Sequence, residues 1–369
     1  MNNEFDPDYP QVKRTYTPEE AGHDKKRKPV SRYNVKRNLK KRPNPGVALL
    51  VLFFIAVFAV FIYLIANERT KPATSPADTE AEDSGDSIVT TEDSLPYSVI
   101  KESEEQMHYG DLILVNSQHE YFFPEEAEKE ITKIKEAKNE YYGMADSTAC
   151  LQSGVIEKFN TLCTDYFNYN GFRWMQVNSA YRSKQEQTDL YAEYTEAYGA
   201  DYAKAYVANP GFSEHHTGLA LDLNVNMDGS IYYVESYEGC QWFRENAKKY
   251  GFILRYPDDK VYMTGINYES WHYRYVGLPH SLIMADMNFC HEEYINYLKK
   301  YTYDTVRLGY NEATGVYDIP AEEEYSGGIM IYYEPCAGPE TEIKVPKNAT
   351  YTVSGNNVDG FIVTVGSGQ

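Results

Sequence analysis

Two short stretches of the sequence carry side chains that could bind a metal ion and activate a water molecule. The first, Ser213–Asp222, contains two adjacent histidines and ends on an aspartate, and the second is Glu269-Ser270-Trp271-His272. Two imidazoles and one carboxylate form a three-ligand zinc set that leaves a fourth position for water. A further glutamate nearby can take the proton of that water. The two stretches together predict a hydrolytic metal centre.

A strand over residues 219–225 would position the acidic ligand. Strand alternation puts its apolar side chains on one face, which we expect in a core, and Asp222 on the other, open face. His215 lies in the loop before this strand, and Gly218 allows the loop to bend tightly beside it. The apolar face consists of Leu219, Leu221, Leu223 and Val225.

The second stretch needs a change of backbone direction before its histidine. Side chains three residues apart in a strand point to opposite faces. Glu269 and His272 therefore share one site only if a turn or bulge lies between them. One histidine with one aspartate is, by itself, more often a surface pair or a satisfied core group than a ligand set. The presence of both halves, each in a strand-like and aromatic setting, favours the metal centre.

Four separated motifs give the chain a family resemblance. Ser-x-His-x-x-Gly-x-x-x-Asp followed by Glu-x-Trp-His resembles the VanY-type D-alanyl-D-alanine carboxypeptidases, zinc enzymes that trim peptidoglycan stem peptides. Ser179-Ala180-Tyr181-Arg182-Ser183 resembles the Ser-Gly-Tyr-Arg-Ser signature of that family, with Ala180 in place of glycine, and Tyr275-Val276-Gly277-Leu278-Pro279-His280 is the trailing motif. The motifs occur in the family's order within about residues 110–282.

The resemblance implies a zinc ion and its ligands. The ligands would be His215, Asp222 and His272, as in the Hedgehog/D-Ala-D-Ala peptidase fold. The spacing to Gly218 and to the aspartate aligns His215 with the family ligand, which leaves His216 as a neighbour.

The resemblance also implies the catalytic groups. Glu269 would act as the base, and Arg182, at a strand-to-helix junction, would hold the peptide carbonyl as it becomes an oxyanion. Ser213 would touch the substrate. The reaction expected is hydrolysis of the terminal D-Ala of a stem pentapeptide.

Three other functions compete with this one. An L,D-carboxypeptidase or a cross-link endopeptidase would use the same centre, and its specificity would lie in the shape of the pocket. A non-catalytic peptidoglycan-binding module would keep the fold without turnover. Such a module is expected to have lost at least one ligand candidate or catalytic residue. All five of these residues are present here: Arg182, His215, Asp222, Glu269 and His272.

Charge is spread unevenly along the 369 residues. The formal net charge is −20, although the first 45 residues hold 12 Lys/Arg against 6 Asp/Glu. The acidic remainder argues against nucleic acid as a partner.

The amino-terminal part predicts a membrane anchor. Residues 46–66 carry no charge and, as a helix, would match a bilayer core of about 30 Å. The basic flank of residues 1–45, which we interpret as disordered, places that segment in the cytoplasm by the positive-inside rule. Residues 67–96 form an acidic Ser/Thr/Pro linker, so the following domain lies outside the cell.

The remaining pattern is α+β, with helices packed on one side of a mainly antiparallel sheet. We expect a zinc peptidase domain over residues 97–310 and a small β-rich extension over 321–369, either a separate domain or an edge of the main sheet. A short strand is expected at 112–116. One long helix is expected to begin at Pro279 and to run through Leu298.

Overall fold

The computed structural model of the chain describes residues 95–366. The predicted cytoplasmic segment, the 46–66 transmembrane helix and almost all of the 67–96 linker lie outside these residues. Within 95–366, every helix is too short or too polar to cross a membrane.

The described residues contain strands and short helices in alternation. The strands, β1 to β15, are Tyr97–Ser103, Ile131–Lys133, Gly143–Met144, Cys150–Gln152, Met175–Ser179, Ala220–Met227, Ser230–Tyr233, Phe252–Leu254, His272–Tyr275, Val306–Asn311, Gly315–Pro320, Ile329–Pro335, Glu340–Pro346, Tyr351–Gly355 and Gly360–Val365. The α-helices, α1 to α9, are Glu125–Glu130, Ile134–Ala137, Ser153–Asn170, Lys184–Tyr198, Ala200–Tyr206, Gln241–Asn246, Val261–Thr264, His280–Asp286 and His291–Leu298. Short 3-10 segments are Glu104–His108, Glu214–Thr217, Glu238–Cys240, Ala247–Tyr250 and Asp258–Lys260.

A six-stranded sheet carries both chemical stretches. Its order is β3-β5-β6-β9-β8, with β7 also paired to β6. Every pair in it is antiparallel except β3 with β5. The expected α+β class with a mainly antiparallel sheet is therefore confirmed.

The apolar face of β6 lies in the largest hydrophobic core. Leu221, Leu223 and Val225 are buried there with Ile156 and Phe159 of α3. Both α3 and β6 show the apolar spacing of an element with one buried face, and the structure packs these two faces together.

Helices contact both faces of the sheet, whereas the sequence suggested one side only. Adjacent residues of β8 point to opposite faces. Phe252 packs in the core that contains α3, while Ile253 packs with Ile283 of α8 and Tyr294 of α9. The second group of helices thus covers the far face at the β8 end.

The carboxy-terminal strands form a sheet of their own. Its order is β11-β10-β12-β15-β14, all antiparallel, and β1 pairs separately with β13. A buried link joins this sheet to α8, since the Oγ1 of Thr364 lies 3.0 Å from the Nε2 of His280. The sequence left two arrangements open, a separate domain or an edge of the main sheet. In the described residues these strands do not pair with the six-stranded sheet.

Two predicted elements differ from the structure. Residues 112–116 do not form a strand, because their backbone donors bond outside any sheet: the N–H of Leu112 donates to the Ser354 hydroxyl and that of Leu114 donates to the carbonyl of Asn356. The long helix after Pro279 is two helices. Asn288 has a φ of +51°, and the side chain of Glu293 caps the start of α9 by accepting from the Cys290 N–H.

Candidate metal centre and catalytic site

Pairing of β6 with β9 brings the aspartate and the second histidine together. Asp222 and His272 are direct partners in the antiparallel register. Side chains directly opposite each other in such a pair emerge on one face. The Oδ1 of Asp222 therefore lies 3.3 Å from the Nδ1 of His272.

A turn brings Glu269 to the same place. The N–H of His272 donates to the carbonyl of Glu269 at 3.3 Å, and β9 begins only at the histidine. The Oε2 of Glu269 lies 3.5 Å from the Nδ1 of His272. The sequence predicted a turn or bulge between these two residues, and this turn is the one observed.

His215 reaches the site from the 3-10 segment before β6. Gly218 ends this segment with a φ of +68°, and a Cβ there would collide with Ile131 and crowd the backbone of Gln152. The Nδ1 of His215 donates to the carbonyl of Ala180 at 2.7 Å. Its Nε2 is left facing the Oδ2 of Asp222 at 3.4 Å.

His216 lies outside this cluster. Its Nε2 accepts the N–H of Gly211 at 3.0 Å, so the proton is on Nδ1, which donates to the carbonyl of Arg182 at 2.6 Å. Both ring nitrogens are therefore engaged in holding loops together. Of the two adjacent histidines, the structure brings only His215 to the aspartate.

The three ligand candidates fit a zinc ion. Their donor atoms lie within 4.8 Å of one another. Tetrahedral zinc with ligands at about 2.0–2.1 Å has donor–donor edges of about 3.3–3.4 Å. The Nε2 of His215 lies 3.4 Å from Oδ2 of Asp222, and the Nδ1 of His272 lies 3.3 Å from Oδ1, so each imidazole is at that distance from one carboxylate oxygen. Charge-assisted hydrogen bonds are shorter, about 2.7–2.9 Å. The Oδ1 of Asp222 is buried and has no hydrogen-bond partner, which suits a metal ligand.

Charges in the cluster hold its groups in definite protonation states. Burial alone would raise the pKa of Asp222, but the two histidines outweigh it and hold that pKa well below its usual range. The aspartate is therefore a carboxylate throughout the physiological range.

Glu269 has the properties of a base in a dry site. Its side chain is 9% exposed, and burial, reinforced by the charge of Asp222, raises its pKa to about 8. A general base works best when its pKa lies near the working pH. Because it sits beside the ligand set without belonging to it, Glu269 is placed to exchange protons with a group bound there.

Arg182 interacts electrostatically with the same cluster. Its side chain is held by the Ser179 hydroxyl, to which Nη2 donates at 2.9 Å, and by the Gln187 side chain. Burial lowers its pKa, while the carboxylates of Asp222 and Glu269 act in the opposite direction. The guanidinium is therefore a fixed cation near the three ligand candidates.

Arg182 lies at a strand-to-helix junction, as the sequence predicted, because β5 ends at Ser179 and α4 begins at Lys184. Ser183 caps α4 in a capping box with Glu186. Ser213 is buried, and its hydroxyl caps the 3-10 segment by accepting the N–H of His215 at 3.4 Å. The described contacts of Ser213 are thus structural, and its contact with substrate stays a prediction.

Sequence reasoning missed a buried ionic network behind His272. Glu214, although part of the first motif, was given no role. Its carboxylate lies 3.4 Å from the Nε2 of His272 and accepts from Arg255 and Arg274. The spacing of residues in the sequence does not predict this network, because its members are far apart along the chain. Arg274 is on β9, Arg255 follows β8, and Glu214 lies before β6.

The chain is similar in sequence to D-alanyl-D-alanine carboxypeptidases. Residues 148–278 match the family model described as VanY, D-alanyl-D-alanine carboxypeptidase. The chain is 39% identical over 292 residues to a D-alanyl-D-alanine carboxypeptidase of Enterococcus faecium, covering 78% of this chain and 83% of that protein. It is 42% identical over 133 residues to the bifunctional D-Ala-D-Ala dipeptidase and D-Ala-D-Ala carboxypeptidase VanXYC of Enterococcus gallinarum, covering 34% of this chain and 67% of that protein.

A solved structure supports the fold. The vancomycin-resistance D,D-dipeptidase VanXYg, in complex with a D-Ala-D-Ala phosphinate analogue, superposes with a TM-score of 0.60 at 32% identity. The match covers 73% of this chain and 98% of that chain. It therefore extends beyond residues 110–282, where the four motifs lie.

Proposed function

The chain belongs to the VanY family of D-alanyl-D-alanine carboxypeptidases, and from this we propose that it is a zinc-dependent D,D-carboxypeptidase acting on peptidoglycan stem peptides outside the membrane. The observation that carries the proposal is the convergence of His215, Asp222 and His272 beside the buried Glu269. The names of the relatives support the substrate class, a peptide ending in D-Ala-D-Ala.

Three side chains of this cluster would hold the metal. These are the Nε2 of His215, the carboxylate of Asp222 and the Nδ1 of His272. Zinc in such a site lowers the pKa of a water ligand towards about 7 and acts as a Lewis acid on a carbonyl. The rest of the chemistry belongs to the chain's own side chains.

Glu269 would move the proton. Its carboxylate accepts a proton from the attacking water as the new C–O bond forms, and it delivers that proton to the amide nitrogen as the C–N bond breaks. The products are a peptide shortened by one residue, ending in a carboxylate, and free D-alanine. Burial of Glu269 suits both roles, because it holds the pKa between those of the water and the amine.

Arg182 would stabilise the charge that develops on the carbonyl oxygen. A preorganised donor in a dry site is effective because it does not reorganise during the reaction, and loss of one donor typically costs about 10²–10³ in rate. The hydrogen bonds from Arg182 to Ser179 and Gln187 supply that preorganisation.

The position outside the membrane is also a proposal, and it rests on sequence. Residues 46–66 carry no charge and follow a basic segment. With the amino terminus in the cytoplasm, a single span puts everything after residue 67 on the wall side. A wall peptide is the substrate class that such a location would provide.

Defined peptides test the proposal and separate it from its alternatives. The full-length chain, stripped of metal and then supplied with zinc, is incubated with a stem pentapeptide, a stem tetrapeptide and a cross-linked dimer, and products are identified by mass. We expect zinc-dependent loss of one D-alanine from the pentapeptide. Cleavage of only the tetrapeptide would indicate an L,D-carboxypeptidase, cleavage of only the dimer an endopeptidase, and binding without cleavage a wall-binding module.

A further inference from the structure

The two histidine ligands are held in different ways. The distal nitrogen of His215 donates to a neutral backbone carbonyl, that of Ala180. The distal nitrogen of His272 faces a carboxylate instead, with its Nε2 3.4 Å from the Oε2 of Glu214. We propose that Glu214 is the positioning residue that orients His272 for zinc, an inference that rests on the proposed metal centre.

The orientation of Glu214 is set by its other oxygen. Oε1 accepts from the Nε of Arg255 at 2.7 Å and from the Nη1 of Arg274 at 3.0 Å. All three side chains are completely buried. With Oε1 held by two arginines, Oε2 is directed at the imidazole of His272.

The arginines are anchored in turn. Arg255 makes a bidentate pair with Glu292 of α9, at 2.9 and 2.7 Å. Arg274 donates through Nη2 to the carbonyls of Asp111 and Ile113, at 2.9 and 3.0 Å. The frame behind the metal ligand thus joins a strand, a helix and the segment that precedes α1.

Charge balance explains why such a frame can be buried. Glu214 and Glu292 carry two negative charges, and Arg255 and Arg274 carry two positive charges, so the four groups are neutral together. A buried ionic group is tolerated when it is paired and fully hydrogen-bonded. The network provides that pairing and still leaves one glutamate oxygen for His272.

The consequence for His272 is a fixed ring and a fixed tautomer. A carboxylate at Nε2 keeps the proton on that nitrogen, so Nδ1 presents its lone pair to the position shared with Asp222 and Glu269. A charged acceptor also makes the imidazole a better donor to a metal. Glu214 therefore acts through His272 and does not touch the reacting atoms.

Glutamine substitutions at the two glutamates test this role. Glu214→Gln and Glu292→Gln each remove one negative charge from Arg255, but only the first changes the partner of His272. In the full-length chain we measure zinc affinity by competition with a chelator, the absorption spectrum of the cobalt-loaded protein, and thermal unfolding without metal.

The two variants should differ in metal binding and resemble each other in stability. Both should unfold at lower temperature, because each leaves a buried arginine under-compensated. Glu214→Gln should weaken zinc binding about 10–100-fold and shift the cobalt spectrum, the usual effect of losing a partner behind a ligand. Glu292→Gln should weaken zinc binding much less, because His272 keeps its carboxylate partner and Arg274 still donates to Glu214. If Glu214→Gln does not fold, Glu214→Asp takes its place, since it keeps the charge and withdraws the carboxylate from His272.

Two results would overturn the inference alone. One is equal zinc affinity in the parent chain and in the Glu214 variant. The other is an equal loss of zinc affinity in the Glu214 and Glu292 variants, which would make the network merely structural. A parent chain that binds no zinc at all would instead remove the proposed metal centre, and this inference with it.

Discussion

Replacing Glu269 by glutamine isolates proton transfer from every other function of the site. The amide has nearly the size and shape of the carboxylate, but it cannot accept a proton in the relevant pH range. General acid–base catalysis contributes about 10²–10⁴ in rate. At about 1.4 kcal/mol per factor of ten, this corresponds to about 3–5 kcal/mol of transition-state stabilisation. We expect kcat to fall by that factor in Glu269→Gln.

The structure also predicts what this substitution leaves unchanged. Glu269 is not one of the three ligand candidates, so zinc content should stay close to that of the parent. Burial raises its pKa to about 8, which means that ionised Glu269 opposes folding at neutral pH. The neutral amide removes that cost, so the zinc-free variant should unfold at the same temperature as the parent or higher.

The assay follows release of D-alanine from a peptide ending in D-Ala-D-Ala, with zinc content measured on the same samples. KM should change little, because it reports binding contacts made elsewhere in the cleft. Glu245→Gln, at an exposed glutamate on α6, is the matched control and should behave as the parent. Hydrolysis by Glu269→Gln at the parent rate would refute the assignment of the base. Loss of zinc would show instead that Glu269 is a ligand.

Three further predictions concern the metal, the fold and the membrane. His215→Ala should weaken zinc binding, measured by chelator competition, whereas His216→Ala should lower thermal stability and keep the metal; the reverse pattern would contradict the choice between them. Burial lowers the pKa of His280 from 6.5 to about 3, so the unfolded chain gains a proton first as pH falls. The parent should therefore have a higher free energy of unfolding than His280→Gln at pH 7, and this difference should shrink between pH 6.5 and 3. A difference that does not change with pH would contradict this. In cells stripped of wall, added protease should remove the part after residue 67 and spare residues 1–45; protection of the catalytic part would overturn the proposed location.

Local chemistry in the sequence was sufficient for much of the site. Alternation in β6 separates Asp222 from its apolar neighbours because strand geometry is strictly two-sided. Gly218 marks the bend that delivers His215, because it adopts a positive φ at the end of the 3-10 segment. Ser183 marks the start of α4, because its hydroxyl accepts a backbone N–H of the first helical turn. The family motifs then supplied roles for side chains whose spacing matched.

Only the tertiary structure decided which distant groups meet. The register of β6 with β9 makes Asp222 and His272 partners. The packing of β8 against α9 brings Glu292 to Arg255, which in turn donates to Glu214. Periodicity reports which face of a segment is buried, whereas the identity of the partner on that face depends on chain segments far away in sequence. The sequence was therefore sufficient to name three residues that converge, but not the buried frame that holds them.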